Sequence, residues 1–540
     1  MQSRDQYDYL IIGAGIAGLS SGVTLAHSGK KVLILERSKD LGGCASTYTK
    51  SGYRFEAGAT TLVGFGEGLP LTRVFEHVGK NPKDYFDFFS LNPSQKIILK
   101  DGKEIWRGDR KEFVKNCIAI FGNQYRQTIF WNLVYWTAKT LWKMSSEFVH
   151  FPFLGFSDFW ECLKKMKLSY AIAFVFSLVS VQTILKILFL EKNTAWKEFL
   201  NEQLVISTQS DIGGTPFLLG SAGLSYAELP NQYIVGGIGG LAEGLAKVFS
   251  EFGGSIFRKS EVVSIRKQEE AWEVQTKKGE IYFASSIISG IPIWNLSRIF
   301  EDSNLDSELG ELSSGLISFK SELPASSLRM ESTSPKLQKE ISSLLSYLVT
   351  SSKKFDSKIW GAFTWGVVVK DLAPFDSIHT QIHSETPIPF HGGNSVFVSA
   401  SHPSDLSRGT KSNETILAVS THASEEKSWD RKSKDYISEK NIVTDFVISL
   451  LEKNYRGFRR ENISILNMAT PSTWEIWSGR WKGRVGGIPA EHFPTPFHYL
   501  SNFTKSKSFF LIGDTTYPGQ GIPGVALSGF HLALRILEKT

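Results

Sequence analysis

Cysteine is scarce in this chain, and several common functional patterns are missing. Among 540 residues there are only 3 cysteines. Cys44, Cys117 and Cys162 are too few and too scattered for a disulfide framework or a metal cluster. The histidines do not form a metal-binding spacing either. We therefore expect no bound metal, and a reducing cytoplasmic environment.

Positive charge is in slight excess but is not concentrated. The net charge of +6 and the pI near 8.9 would by themselves suit an acidic partner or an anionic membrane. The sequence has no long basic run, zinc-finger spacing or RNA-binding signature, so nucleic acid is not an expected partner. No secretory signal peptide is evident, because the apolar run at 9–18 has another explanation.

Length and composition predict a folded protein with more than one lobe. A chain of 540 residues exceeds what one hydrophobic core usually supports. With 41% hydrophobic and 21% charged residues, it has no compositional mark of disorder.

A glycine-rich turn follows an apolar run near the start of the chain, at 9–18 (YLIIGAGIAG). This is the G-x-G-x-x-G pattern of a dinucleotide-binding βαβ unit. Gly13 would permit the tight turn, Gly15 would let the backbone approach a pyrophosphate, and Gly18 would let the helix pack closely on the sheet. The helix N-terminus then faces the phosphates.

The residues that follow complete the unit. Residues 16–27 are predicted to form its helix and 31–35 its second strand. Glu36 then stands at the end of that strand, where an acid can bind the ribose hydroxyls of adenosine. Such an acid disfavours the 2′-phosphate of NADP.

Further glycine-containing segments narrow the class. They are 41–47 (LGGCAST), 55–60 (FEAGAT), 233–241 (YIVGGIGGL) and 513–525 (GDTTYPGQGIPGV). Together these segments resemble the bacterial-type phytoene desaturase and carotenoid isomerase family, within the FAD-dependent, amine-oxidase-like flavoproteins. The resemblance covers most of the chain and is strongest at its two ends.

The resemblance implies that FAD is the cofactor. Asp514 would hydrogen-bond the ribityl chain, backbone groups around Val262 would pair with adenine, and a helix entered from Gly521 would direct its positive end at the flavin pyrimidine edge. The residues expected to contact FAD are Gly13, Ala14, Gly15, Ala17, Gly18, Glu36, Arg37, Gly42, Gly43, Cys44, Ala59, Thr60, Val262, Gly513, Asp514, Gly521, Ile522 and Val525. Residues 287–292 (IISGIP) depart from the family's pattern at two positions, so no contact is assigned there.

The predicted fold class is α/β. A Rossmann-type FAD-binding domain built from 1–79, 232–300 and 469–540 is interleaved with two insertions. Residues 80–231 form a helical, aromatic-rich insertion for substrate and membrane association. Residues 301–468 supply the sheet and helices of an α+β substrate domain.

Aromatic residues and lysines alternate through the first insertion between 130 and 167, a composition that favours a membrane interface. Residues 168–185 then contain no charged residue, which is long enough to consider a membrane-spanning helix. Polar residues interrupt the run, and the flavin fold on either side must stay in one compartment. We predict shallow insertion and peripheral or monotopic membrane association on the cytoplasmic side. A buried lid or tunnel helix is the alternative, and either arrangement suits an apolar substrate.

The second insertion is less informative. Residues 312–320 are predicted to form a strand, and the Ser/Lys-rich stretch to about 358 to form solvated loops and helix faces. Residues 396–405 and 415–422 are predicted to form two further strands. Their alternating aromatic and small residues suit a sheet that lines a ligand cavity, and equally an ordinary sheet over a core.

No nucleophilic triad is recognisable, and the catalytic side chains are not identified. The resemblance brings 469–487 to the flavin face, where Trp474, Trp477 and Trp481 would wall a tunnel. Glu475 and Arg480 are the candidates for proton handling or polarisation, with ion pairing as the alternative role.

The resemblance implies an oxidoreductase that acts on a carotenoid or related polyprenoid. It would desaturate the polyene by hydride transfer to flavin, or isomerise its double bonds with reduced flavin. The electron acceptor, quinone or oxygen, is left open. A flavin amine oxidase with a compact, wet pocket is the first alternative. A non-catalytic prenyl-lipid carrier is the second, and it would require loss of flavin-binding residues that are intact here.

Overall fold

The computed structural model describes residues 6–268, 270–296, 335–354, 359–372, 375–490 and 499–539. The strands are β1 Gln6–Ile12, β2 Val32–Leu35, β3 Thr47–Lys50, β4 Tyr53–Glu56, β5 Leu62–Val63, β6 Phe88–Ser90, β7 Gln95–Ile98, β8 Glu104–Arg107, β9 Asn231–Ile234, β10 Ser255–Phe257, β11 Val262–Lys267, β12 Trp272–Thr276, β13 Ile281–Ser289, β14 Gly361–Lys370, β15 His379–His383, β16 Ser395–Ala400, β17 Glu414–Ala423, β18 Ile463–Ala469 and β19 Phe509–Leu511. The α-helices are α1 Ile16–His27, α2 Pro70–His77, α3 Arg110–Phe121, α4 Gln124–Glu147, α5 Phe156–Lys164, α6 Leu168–Val175, α7 Val181–Ile187, α8 Thr194–Thr208, α9 Phe217–Leu224, α10 Gly239–Glu251, α11 Pro335–Lys354, α12 Tyr436–Asn454, α13 Pro471–Ser478 and α14 Ile522–Leu537.

The first large sheet has the order β10-β2-β1-β13-β12-β11, and β19 pairs with the second half of β13. β10, β2, β1, β13 and β19 run parallel to one another, whereas β12 pairs antiparallel with both β13 and β11. Every residue of β2 is buried, as expected for a parallel strand covered on both faces. The sheet thus joins strands that are far apart in the chain.

Two glycines let helices approach this sheet and each other. A Cβ on Gly18 would lie 2.2 Å from the carbonyl oxygen of Gly13, and one on Gly529 would lie 2.0 Å from that of Ala17. No side chain fits at either position. Glycine therefore allows α1 to lie tightly against the turn after β1, and α14 to lie tightly against α1. The predicted helix at 16–27 is confirmed as α1, and the predicted second strand as β2.

The second large sheet has the order β18-β14-β17-β16-β15-β7-β8. One face is apolar and packs against α12, through buried residues such as Trp365, Val398 and Val447. Side chains on the opposite face are smaller and more polar. The predicted strands at 396–405 and 415–422 are present as β16 and β17, but β16 ends at Ala400, so 401–405 is not part of the strand.

The apolar stretch at 168–185 does not form one long helix. It divides into α6 and α7, because the Ser177 hydroxyl bonds back to the Phe174 carbonyl and the Ser180 side chain caps α7 by accepting from the Thr183 N–H. Within the described ranges, no helix combines the length and apolar character needed to cross a bilayer.

The region between 301 and 358 is only partly described. The strand predicted at 312–320 lies outside the described residues. The Ser/Lys-rich stretch contains α11, whose Ile341, Leu344 and Leu348 are buried against the first sheet's core cluster. One face of this helix is therefore part of a core, whereas the sequence predicted solvated segments.

Candidate active site

A cavity of about 1100 Å³ extends from the first sheet to the second. Its walls come from the turns after β1 and β2, the loop before α14, the helices α4, α8 and α9, and one face of the second sheet. This volume exceeds the range of roughly 300–1,000 Å³ usual for small-molecule sites. The cavity can therefore hold a cofactor and a second ligand together.

The βαβ unit forms one end of the cavity. Gly13 has a φ of +100°, the tight turn that the sequence predicts there. The carboxylate of Glu36, at the end of β2, accepts hydrogen bonds from the N–H of Ala14 at 2.8 Å and of Ser38 at 2.7 Å. Burial raises the pKa of Glu36, and these two N–H donors offset part of that rise. The carboxylate is thereby fixed beside the glycine turn.

This end of the cavity has the features of a phosphate cradle. Cβ atoms added to Gly13 or Gly15 would meet no atom within 4 Å, so both glycines leave open space beside the backbone. The hydroxyl of Ser46, on the neighbouring glycine-rich segment, is buried and has no hydrogen-bond partner in the described part of the chain. Open space at the N-terminus of α1 and an unsatisfied hydroxyl both fit a bound dinucleotide.

The loop after β19 closes the same end. Asp514 lies there, and its carboxylate accepts from the Arg480 guanidinium at 2.8 Å. Burial raises the pKa of the Asp514 carboxyl, while Arg480 offsets part of that rise. Arg480 also donates to the carbonyls of Arg484 and Gly486, at 2.6 and 2.7 Å. The 480–486 turn is thereby tied to Asp514.

Nearly all residues predicted to contact FAD line this one cavity. The exception is Ala14, whose N–H instead positions Glu36. The cavity also touches Gly290 and Ile291, where the sequence assigned no contact. The predicted helix entered from Gly521 is present as α14, with Gly521 as its N-cap residue.

The candidate catalytic charges lie in different places. Arg480 lines the cavity in its ion pair with Asp514, whereas Glu475 is not among the lining residues. Trp474 and Trp477 line the cavity, and Trp481 instead stacks with the Arg484 guanidinium at 4.1 Å. The geometry thus supports an ion-pairing role for Arg480.

Cys44 also lines the cavity. Burial raises the pKa of its thiol, although the nearby Arg480 acts in the opposite direction. A thiol with a raised pKa stays protonated at neutral pH, which makes it a poor nucleophile. Cys44 therefore fits the role of a small packing residue better than that of a reactive thiol.

The helical wall of the cavity is apolar. It is built by α4 and α9 with the chain that follows α4, and it includes Leu141, Met144, Phe148, Phe151 and Leu218. Phe151 makes an edge contact with Tyr517, with ring centroids 4.7 Å apart. This apolar wall therefore meets the loop that carries Asp514.

The sheet wall is different, and its role was not identified from the sequence. It includes Thr364, His379, Ser395, Ser420 and His422, from four adjacent strands. The sequence feature that pointed to this wall was the alternation of apolar and small polar residues in β16 and β17. From the sequence, this alternation fitted a cavity wall and a sheet over a core equally well.

Comparison with known proteins adds to this geometry. A family model described as NAD(P)-binding Rossmann-like domain matches residues 11–78. A chloroplastic prolycopene isomerase of Daucus carota is 26% identical, over 98% of this chain and 80% of that protein. A lycopene-forming phytoene desaturase of Pantoea ananas is 21% identical, over 98% of both.

Solved structures share the fold. Putrescine oxidase bound to putrescine superposes with a TM-score of 0.60 at 13% identity, covering 99% of this chain and 100% of that chain. A fatty acid isomerase from P. acnes that produces CLA has a TM-score of 0.54 at 12% identity, covering 98% of each chain. At these identities the likeness shows the fold alone.

The fold and the cradle define an α/β protein with a Rossmann-like dinucleotide-binding domain. Within that class, the chain is a homologue of the carotenoid isomerases and desaturases over almost its whole length.

Proposed function

We propose that this protein is an FAD-dependent oxidoreductase that desaturates or isomerises a carotenoid or related polyprenoid. The observation that carries the proposal is the single cavity, which joins a dinucleotide cradle at Gly13 and Asp514 to an apolar wall at Phe148 and Leu218. A long apolar molecule can lie along that wall and reach a cofactor held in the cradle. The homology to carotenoid-modifying proteins supports the same substrate class.

The chain's own residues would hold and orient FAD. Glu36 would accept from the adenosine ribose, the N-terminus of α1 would face the pyrophosphate, and Asp514 would bind the ribityl chain. The N-terminus of α14 would stabilise negative charge at the pyrimidine edge of the ring. The bound flavin would supply the redox chemistry of the polyene. The apolar wall would orient the polyene and exclude water.

We also propose that the FAD domain is interleaved, from 1–79, 232–300 and 469–540. The first sheet supports this, because its strands come from all three parts: β1 and β2, then β10 to β13, then β19. Residues 80–231 and 301–468 would then form the substrate part, which contains the second sheet except for Ala469, the last residue of β18.

The first insertion carries an apolar surface that we propose rests on a membrane, on its cytoplasmic side. We define this apolar patch by the exposed side chains of α5 and α6. They are Phe156, Phe159, Trp160, Leu163, Leu168, Ile172 and Val175. Phe156 and Leu168 are 76% and 80% exposed. A group of large exposed apolar side chains on two successive helices suits a membrane or protein contact, and lysines at 164, 165 and 167 suit anionic lipid headgroups.

The cavity reaches the same surface. Met166 and Phe174 line the cavity, while their neighbours Leu168 and Val175 are exposed in the apolar patch. A polyene dissolved in a bilayer would therefore enter the cavity beside α6 without crossing water.

Replacement of Phe156, Trp160 and Leu168 by serine is expected to abolish most binding to liposomes in a flotation assay. The variant loses apolar surface that would enter the bilayer, and each Å² of such surface contributes about 25 cal/mol to the free energy of binding. Flavin content is expected to stay unchanged. The control replaces Ile437 and Ile442 by serine. These two side chains are 61% and 50% exposed and lie outside the apolar patch. If flotation falls equally in both variants, the patch is not the membrane contact.

The proposed function is tested by adding acyclic carotenoids to the protein in liposomes without oxygen. Bleaching of oxidised flavin together with a longer polyene chromophore is expected of a desaturase. A change of polyene geometry at constant chromophore length, with prereduced flavin only, is expected of an isomerase. No change in the flavin or polyene spectrum with any polyene, together with peroxide release from amines in air, would contradict the proposal and favour an amine oxidase.

A further inference from the structure

The sheet wall of the cavity is more polar than a hydrocarbon substrate requires. Along β15 and β16, alternate residues point to one face, and this face presents His379, Ser395 and Ser399 beside Phe397. The helical wall of the same cavity is apolar. A cavity with one apolar and one polar side suits an elongated molecule that carries a polar substituent.

One side chain of the sheet wall, His379, has a ring nitrogen whose hydrogen-bonding capacity is unused among the described residues. His379 is 2% exposed, and its Nε2 has no hydrogen-bond partner among the described residues. Its Nδ1 lies 2.8 Å from the hydroxyl of Ser399, which in turn donates to the hydroxyl of Thr60 at 2.7 Å. A buried polar atom of this kind is costly unless a ligand satisfies it.

The chain of contacts fixes which nitrogen carries the proton. Ser399 has one hydroxyl hydrogen, and it is donated to Thr60, so Nδ1 of His379 must donate to Ser399. Burial lowers the pKa of His379 to about 4, so the ring is neutral at pH 7. Nε2 therefore has no hydrogen and is an acceptor. It matches a ligand O–H.

The charges around the cavity argue against a ligand with an ammonium or an anionic substituent. The carboxylates on the cavity wall are Glu36, Asp40, Glu261 and Asp514, all in the segments of the dinucleotide cradle. The sheet wall therefore offers no acid for an ammonium group. Arg107 does line the cavity, but Glu228 binds its guanidinium at 2.7 and 2.8 Å, so its charge is compensated and it does not call for an anion. A neutral oxygen substituent remains.

We propose that the polyene taken by this cavity carries a hydroxyl group, which donates its hydrogen bond to Nε2 of His379. This substrate class rests on the proposed function and narrows it, because a plain hydrocarbon would leave the imidazole unsatisfied. Trp142 on the helical wall has a buried Nε1–H that finds no partner among the described residues, and it offers a donor to a second oxygen substituent.

The test compares the binding of lycopene and of its monohydroxylated derivative to the flavin-loaded protein, by the shift of polyene absorbance. The alcohol is expected to bind about tenfold more tightly, as one satisfied buried hydrogen bond allows. His379→Phe keeps a ring of similar shape and removes the acceptor, so the preference is expected to disappear. His379→Gln is expected to restore part of it.

The control is His383→Phe. His383 lies on the same strand and the same face and is similarly buried. Its Nε2 also has no partner within the described ranges, but His383 does not line the cavity. Its replacement is expected to leave the preference intact. Equal binding of both polyenes to the unaltered protein would overturn the inference about the hydroxyl group but not the proposed function. That comparison uses only the unaltered protein, so it does not depend on the folding of a variant. Binding of neither polyene would overturn the proposed function as well.

Discussion

The Gly15→Val variant is expected to purify as a folded protein that has lost nearly all of its flavin. The backbone of Gly15 has a φ of −69° and a ψ of 169°, which valine adopts without strain. A Cβ there meets no atom within 4 Å, so the side chain would enter the open space beside the N-terminus of α1. That space is the proposed pyrophosphate site. The flavin absorbance per protein is expected to fall to less than about a tenth, because the phosphates lose their place at the helix terminus.

Two comparisons show whether this loss is specific. Gly155→Val also adds a side chain into open space, but outside the cavity, and it is expected to keep its flavin. Gly18→Val is expected to destabilise the fold itself, because its Cβ would lie 2.2 Å from the carbonyl oxygen of Gly13. Thermal unfolding separates the two effects. A Gly15→Val protein with full flavin content would show that the glycine turn does not bind the cofactor.

Arg480→Met is expected to lower the free energy of unfolding by about 3 kcal/mol at neutral pH, the usual range when one member of a buried ion pair is removed. The pair with Asp514 is largely buried, with side-chain exposures of 11% and 17%. The substitution leaves the carboxylate without its cation. Arg480→Met combined with Asp514→Asn is expected to recover part of the loss, as measured by urea unfolding.

The loss of unfolding free energy in the Arg480→Met protein is also expected to depend on pH. Burial already raises the pKa of Asp514, and loss of the guanidinium raises it further. A carboxyl with a folded-state pKa above its unfolded value of about 3.9 binds protons more strongly in the folded state. Stability therefore falls as pH rises from about 4 through the raised pKa, and the deficit is smallest at the acidic end.

An exposed ion pair supplies the control for this prediction. Arg258 and Glu243 lie 2.7 Å apart with side-chain exposures of 41% and 45%. Arg258→Met is expected to change the unfolding free energy by less than about 1 kcal/mol, because water screens exposed pairs. A loss for Arg480→Met no larger than this, or one independent of pH, would show that the buried pair contributes little.

The two ends of the chain were the most predictable parts of the molecule. The turn at Gly13, the helix α1 and the N-terminus of α14 follow from local rules, because glycine spacing and apolar periodicity act over a few residues. The apolar run at 168–185 was less predictable. Its division into α6 and α7 depends on hydrogen bonds of Ser177 and Ser180, which hydropathy does not register.

The polar wall of the cavity could not be predicted from sequence. His379, Ser399 and Thr60 are separated by up to 339 positions, yet their side chains form one chain of hydrogen bonds. The alternating apolar and small polar residues of β16 and β17 would fit a sheet over a core equally well. Only the pairing of distant strands decides which face meets a cavity.

The sequence by itself thus determined the α/β class and the dinucleotide-binding turn, because these depend on short motifs with fixed geometry. The residues that would surround a flavin stay a prediction from the family resemblance. The tertiary structure decided what lies opposite that cradle. It brought Arg480 to Asp514 and exposed one face of α5 and α6, and it set a neutral histidine in the wall of the cavity. Burial, charge compensation and the unused capacity of a buried atom arise from contacts between distant segments, and no local pattern encodes them.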